Sequence, residues 1–147
     1  MRETRYDALR LENQLCFPLY ACSKELTRQY RKHLDALNLT YTQYVVMMAL
    51  WEHGTLTEGE LGQIVHLDSG TLAPLLKRLE KQGMIRRNRA ETDERRLRIT
   101  LTEEGDSLKE RALAVPCAME GCLALSDEEM TQLKGLLDKA LLGIQRK

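Results

Sequence analysis

One change of period organises the whole sequence. Apolar residues recur at helical spacing from Leu9 to Gln82, alternate at strand spacing from Met84 to Leu101, and return to helical spacing towards the C-terminus. Leu9, Leu11, Leu15, Leu19, Leu26, Leu34 and Leu37 mark a first helical segment over about residues 10–37, with Pro18 disturbing its early part. Thr40 and Gln43 form a capping box for a second helix through Glu52, which Gly54 ends. Thr57 and Glu60 repeat the device before a short helix, Glu58 to Val65. Asp68 caps a longer helix that Gly83 closes. The residues Met84–Arg89 and Arg96–Leu101 read as two strands around a polar turn, with Leu97, Ile99 and Leu101 on one face. Thr102 caps a further helix to about Leu125, and Ser126 with Glu129 opens a last one.

A short helix, a tight connection and a longer helix make a helix-turn-helix unit, and a basic hairpin directly behind it is a wing. The expected fold is therefore mainly α with a small β-hairpin: one winged helix-turn-helix domain over residues 1–147. Residues 40–101 would form its DNA-binding core, and residues 10–37 and 103–147 helical dimerisation segments.

Charge supports the same division. The chain is neutral overall, with 22 basic and 22 acidic residues. Between Lys77 and Arg98, however, nine basic side chains face four acidic ones, so this stretch is +5 and the remainder −5. Such a block suits an edge that meets a polyanion. Met1 to Gln14 is polar and unlike a secretory signal, and the longest apolar run, Tyr44 to Trp51, is far short of the ~20 residues that span a bilayer. A cytoplasmic protein without membrane contact is expected, its four cysteines resting as thiols.

The helix from Asp68 to Gln82 would read DNA. Ser69, Gly70, Thr71 and Pro74 let its N-terminal turns approach the major groove, and Lys77 and Arg78 reach phosphates or guanine edges further on. A plainer reading makes it a surface helix with solvated charges; the hairpin behind it weighs against that. The hairpin reads Asp93-Glu94-Arg95-Arg96-Leu97-Arg98-Ile99-Thr100-Leu101-Thr102. Its D-x-R element followed by L-T and L-T-E-E-G resembles the wing of the multiple-antibiotic-resistance regulator (MarR) family. The resemblance implies that Arg95 enters the minor groove and Asp93 orients it, with Arg96 beside them. Arg86, Arg87, Arg89 and Arg98 divide between phosphate contacts and solvated charges, and their sum predicts steep salt dependence.

Among the cysteines, Cys16 has the most informative surroundings. With Pro18 best tolerated near a helix start, Cys16 falls in a first turn, where the helix dipole favours a thiolate. A buried, inert cysteine is the plainer alternative. Tyr30 and Tyr41 are candidate hydroxyl donors. Tyr30 shares a face with Cys16 but lies about 21 Å along the same helix, so the two could meet only if the first helices of two chains cross antiparallel. That geometry argues for a homodimer.

LENQLCFPLYACSKEL, LNLTYTQYVVMMALWEHG and LDSGTLAPLLKRLEKQG closely resemble the organic hydroperoxide resistance regulators, a branch of the same family, and the similarity weakens after Glu104. It implies that Cys16 is the peroxidatic thiol, hydrogen-bonded by Tyr30 and Tyr41, and that its oxidation by organic hydroperoxide releases DNA. Some members resolve the sulfenic acid with a small thiol and others with a second cysteine near the partner's C-terminus; Cys117 and Cys122 occupy that region, Cys122 being favoured. Cys22 cannot bond Cys16 on one helix and is assigned to packing.

His33, His53 and His66 lack metal-ligand spacing, so no metal or cofactor is expected and no enzyme motif is present. Two alternatives stand beside the redox repressor: a regulator of the same fold released by small aromatic ligands, and a thiol peroxidase, for which the basic hairpin has no use.

Overall fold

A computed structural model of the chain describes residues 6–90 and 93–145, save the side chains of residues 90 and 93–96. Two 3-10 turns, Asp7–Leu9 and Leu11–Asn13, precede the first helix. The Asn13 and Gln14 side chains tie them together by donating to the carbonyls of Asp7 and Ala8. Helix α1 runs Cys16–Leu34. It starts later than the leucine spacing predicted, and Pro18 gives the reason. A helix begun near residue 10 would hold Pro18 in its interior without a donor for the Gln14 carbonyl; begun at Cys16, it holds Pro18 in the first turn, where no donor is needed.

A 3-10 turn, Asp35–Leu37, and the left-handed Asn38 lead into α2, Tyr41–His53. The predicted capping box is present: Gln43 N–H donates to Thr40 Oγ1, and Thr40 N–H donates to the Gln43 side chain at 2.8 Å. Gly54 closes the helix at φ 72°. Helix α2 is the central post, burying Tyr44, Val46, Met47, Ala49 and Leu50. Next come β1 (Leu56–Thr57), α3 (Glu58–Val65) with the reciprocal Thr57–Glu60 cap, α4 (Ser69–Lys81), β2 (Ile85–Ala90) and β3 (Asp93–Leu101). The sheet is antiparallel with order β1-β3-β2, and Ile99 lies between Leu56 and Arg87. The hairpin was expected; β1 was not. Two residues offer no alternation to detect, and only pairing with β3 makes them a strand.

Thr102 caps α5, Glu103–Ala112, by accepting from Gly105 N–H at 2.9 Å. The single helix predicted to about Leu125 is broken. Helix α6 spans only Ala114–Met119, and a turn with Gly121 and Ala124 at positive φ follows. Pro116 has no N–H to give the Ala112 carbonyl, so α5 ends at that residue. Ser126 and Glu129 then cap α7, Asp127–Gln145. Among the described residues no helix is long and apolar enough to cross a membrane.

The core joins α2 to the sheet and α4 through Leu34, Met47, Leu50, Leu61, Leu72, Leu76, Leu79, Ile85 and Ile99, all fully buried. Each contributes about 1.5–3 kcal/mol by leaving water. The remaining leucines behave differently. Leu9, Leu11, Leu15 and Leu19 stand in solvent, as do Leu136, Leu142 and Ile144 of α7, a helix without a buried residue.

Candidate sensor thiol and DNA-reading surface

Helix α4 carries a narrow apolar stripe, Leu72, Leu75, Leu76 and Leu79, that fixes which residues face outward. Ser69, Gly70, Thr71, Pro74, Lys77 and Arg78 all lie on the exposed side. The helix begins at Asp68, whose carboxylate accepts from the N–H and hydroxyl of Thr71, each at 2.9 Å. The backbone bond, then the hydroxyl bond, hold the Asp68 carboxyl below the usual carboxylate range. A Thr71 hydroxyl committed to Asp68 is oriented before any partner arrives.

The hairpin is attached to this helix by one clamp. Glu80 of α4 accepts from Arg87 of β2 at Nε (2.8 Å), Nη2 (2.6 Å) and the backbone N–H (3.1 Å). The Arg87 side chain, first through these hydrogen bonds, lowers the Glu80 carboxyl below its ordinary value. Sequence reasoning left Arg87 among undifferentiated cations; its partner is seven residues away across a turn, and no local pattern announces it. Arg86, Arg89 and Arg98 remain exposed. The backbone of Asp93, Arg95 and Arg96 belongs to β3, but their side chains lie outside the described residues, and so does the expected Asp93–Arg95 pairing.

Cys16 is the first residue of α1 and is exposed, against the reading of a buried, inert thiol. Leu15 supplies no side-chain cap, and the first turn contains no acidic residue, so α1 itself carries no charge that offsets its positive end. Cys22 is exposed too, and the packing role expected for it is not seen within one chain. Phe17 and Tyr20, beside Cys16, are also exposed.

Tyr30 and Tyr41 do come together. Their ring centroids are 4.9 Å apart, and Tyr44 lies 6.1 Å from Tyr30 on its way to Trp51, at 6.3 Å. Burial, then Tyr41, then the Cys122 thiol push the Tyr30 hydroxyl up. Burial likewise raises Tyr44, with Tyr30 and Tyr41 adding to it. Cys117 lies in α6 and is exposed. Within one chain, Cys16 and Tyr30 occupy positions about 20 Å apart along α1.

Over most of its length the chain is similar to known transcriptional regulators. Residues 28–112 match the family described as transcriptional regulator SarA/Rot. The chain is 50% identical over 145 residues to the organic hydroperoxide resistance transcriptional regulator of Bacillus subtilis, covering 99% of both proteins. Reduced AbfR bound to DNA superposes with a TM-score of 0.80 at 36% identity, covering 97% of this chain and 98% of that one. The disulfide form of AbfR, a protein of Staphylococcus epidermidis, gives 0.64 at 37% identity, covering 97% of each chain. With its winged helix-turn-helix core and near-complete overlap with these regulators, the chain belongs to the MarR family of transcriptional regulators, in the organic hydroperoxide resistance branch.

Proposed function

We propose that this protein is a cytoplasmic homodimeric repressor that holds a pseudo-palindromic operator while Cys16 is reduced and releases it when an organic hydroperoxide oxidises that thiol. The observation that carries this reading is the separation of the sensor's parts. An exposed thiol opens α1, while Tyr30, towards the far end of the same helix, meets Tyr41 of α2 to form the tyrosine pair that could hydrogen-bond to it. Two α1 helices crossing antiparallel would bring each Cys16 to the partner's Tyr30 and Tyr41. The exposed leucines of residues 9–19 and of α7 supply apolar surface for that crossing, in keeping with dimerisation segments over 10–37 and 103–147.

The chemistry needs no cofactor. The Cys16 thiolate attacks the terminal oxygen of the hydroperoxide, the O–O bond breaks, and the alkoxide leaves as an alcohol after taking up a proton. Sulfur loses two electrons and becomes the sulfenic acid. A thiolate of the partner's Cys122 then attacks that sulfur, forming the S–S bond as hydroxide leaves and becomes water. Cys122 is favoured over Cys117; both thiols stand exposed in the segment that follows α5.

DNA would be held by Ser69, Gly70, Thr71, Pro74, Lys77 and Arg78 of α4 in the major groove, and by Arg95 in the minor groove, oriented by Asp93 and flanked by Arg96. The greater likeness to DNA-bound reduced AbfR than to its disulfide form supports taking this chain's shape as the binding one. Release follows if oxidation changes the spacing of two recognition helices that must match one DNA turn, roughly 34 Å.

The test pairs a DNA mobility shift with mass mapping of disulfides after stoichiometric cumene hydroperoxide. Wild type should dissociate with a Cys16–Cys122 crosslink, Cys117→Ser should behave like wild type, and Cys16→Ser should stay bound. Dissociation of Cys16→Ser at the wild-type dose would remove Cys16 as sensor.

A further inference from the structure

Helix α2 joins the tyrosine pair to the root of the wing along one stripe. Tyr41, Tyr44 and Trp51 fall within about 80° of one another around the helix, and Tyr41 and Trp51 are about 15 Å apart along it. The chain has one tryptophan and one phenylalanine beside its five tyrosines. The tryptophan and three of the tyrosines stand in single file. Ring centroids are 4.9 Å apart from Tyr41 to Tyr30, 6.1 Å from Tyr30 to Tyr44 and 6.3 Å from Tyr44 to Trp51. Every step is within the range of rings in contact. Tyr44 is buried, and Tyr30, Tyr41 and Trp51 are partly buried against the core.

Beyond Trp51 the file continues in hydrogen bonds. The indole Nε1–H donates to the Gly105 carbonyl at 2.9 Å. Gly105 N–H donates to the Thr102 hydroxyl at 2.9 Å, and that hydroxyl shares its own proton between the carbonyls of Gly83 and Met84, at 2.5 Å and 3.1 Å. Gly83 and Met84 are the link between α4 and β2. There is no slack here, since a Cβ on Gly105 would lie 1.9 Å from the Met84 carbonyl oxygen. Close-packed interiors of this kind transmit displacement from one end to the other. Core packing alone would explain an aromatic stripe. It leaves unexplained an indole whose polar atom is fastened, through α5 and Thr102, to the joint between recognition helix and wing.

We propose that Trp51 is a positioning residue that couples the sensor to the DNA-reading elements. When the partner's Cys16 is oxidised and its bonds with Tyr30 and Tyr41 are lost, the two rings repack. Tyr44 passes the shift to Trp51, and the Trp51–Gly105 bond passes it to the α4–β2 link. The inference rests on the redox reading above and adds the path by which the state of a thiol reaches α4 and the wing.

The experiment measures DNA affinity of the full-length dimer before and after stoichiometric cumene hydroperoxide, on a duplex that the wild type selects from a random-sequence pool. Mass spectrometry follows Cys16 oxidation in the same samples. Trp51→Phe keeps a ring and removes the donor. Its Cys16 should oxidise at the wild-type rate, while the ratio of its oxidised to reduced dissociation constants should be about tenfold smaller than that of wild type. Val46→Ala truncates a fully buried side chain on the opposite side of α2. It should melt lower yet keep the wild-type ratio. An unchanged ratio in Trp51→Phe, or an equal fall in Val46→Ala, overturns the proposal. Because Trp51 is the one tryptophan, its emission supplies a second readout in wild type itself. Hydroperoxide should change that emission in wild type and leave it unaltered in Cys16→Ser. Constant emission from the oxidised wild type overturns the proposal even if Trp51→Phe fails to fold. A wild type that keeps its DNA with Cys16 oxidised would instead defeat the redox reading.

Discussion

Gly105 illustrates how much one atom decides. A Cβ on Gly105 would overlap the Met84 carbonyl oxygen and lie 2.8 Å from its carbon, all of it backbone that cannot swing away. The same glycine donates its N–H to Thr102 and accepts from Trp51 Nε1 at 2.9 Å, while Thr102 N–H bonds the Met84 carbonyl at 3.1 Å. The start of α5, the end of α2 and the root of the wing thus meet on a residue without a side chain. Gly105→Ala should cost about 2–3 kcal/mol, read as a lower urea midpoint at unchanged m-value. In the sequence this glycine is only the last letter of L-T-E-E-G; the contact that requires it is tertiary. The cysteines divide similarly. The position of Cys16 at a helix start could be read from Pro18, whereas the turn that carries Cys122, with Gly121 and Ala124 at positive φ, is not encoded by helical periodicity.

Between elements, the Glu80–Arg87 clamp ties β2 of the hairpin to α4. The pair is half-exposed, with the Arg87 and Glu80 side chains 21% and 37% accessible, so it contributes no more than about 1 kcal/mol to global stability. Its larger consequence is for the wing. Because the folded state lowers the Glu80 carboxyl below its unfolded value, the contribution is complete above about pH 4.3 and is lost as pH falls through the folded value. Glu80→Gln should therefore melt below wild type at neutral pH and converge on it in acid. Urea melts at pH 7, 5 and 3 measure this directly, and a gap that stayed constant across that range would refute the electrostatic account. Capping signals made most element starts legible: Thr40, Thr57, Asp68, Thr102 and Ser126 all accept the backbone bond expected of them. What escaped was non-local. Strand β1 exists through β3, and Arg87 is distinguished from its neighbours only by Glu80.

At the scale of the molecule, α7 is the element that a single chain does not explain. It is 19 residues long, buries nothing, and exposes Leu136, Leu137, Leu141, Leu142 and Ile144, while a shared hydrogen bond of Gln145 with His66 ties its end to the turn before α4. In proteins most of a helix's stability comes from the packing of its apolar face rather than from propensity. The leucines of residues 9–19 present a second apolar surface exposed in the single chain, and the proposed sensor independently calls for two α1 helices to cross. If one dimer interface satisfies all three, folding and association are linked, and stability depends on protein concentration. The melting temperature should rise measurably over a hundredfold increase in concentration, and equilibrium sedimentation should give twice the chain mass at micromolar protein. Leu137→Glu/Leu141→Glu should yield a monomer that loses the helical circular dichroism of α7 and, with it, the paired half-site grip on DNA. A variant that sediments as a monomer yet keeps wild-type helicity would mean that α7 is stable by itself, and the coupling of sensor, dimer and DNA through one interface would fail.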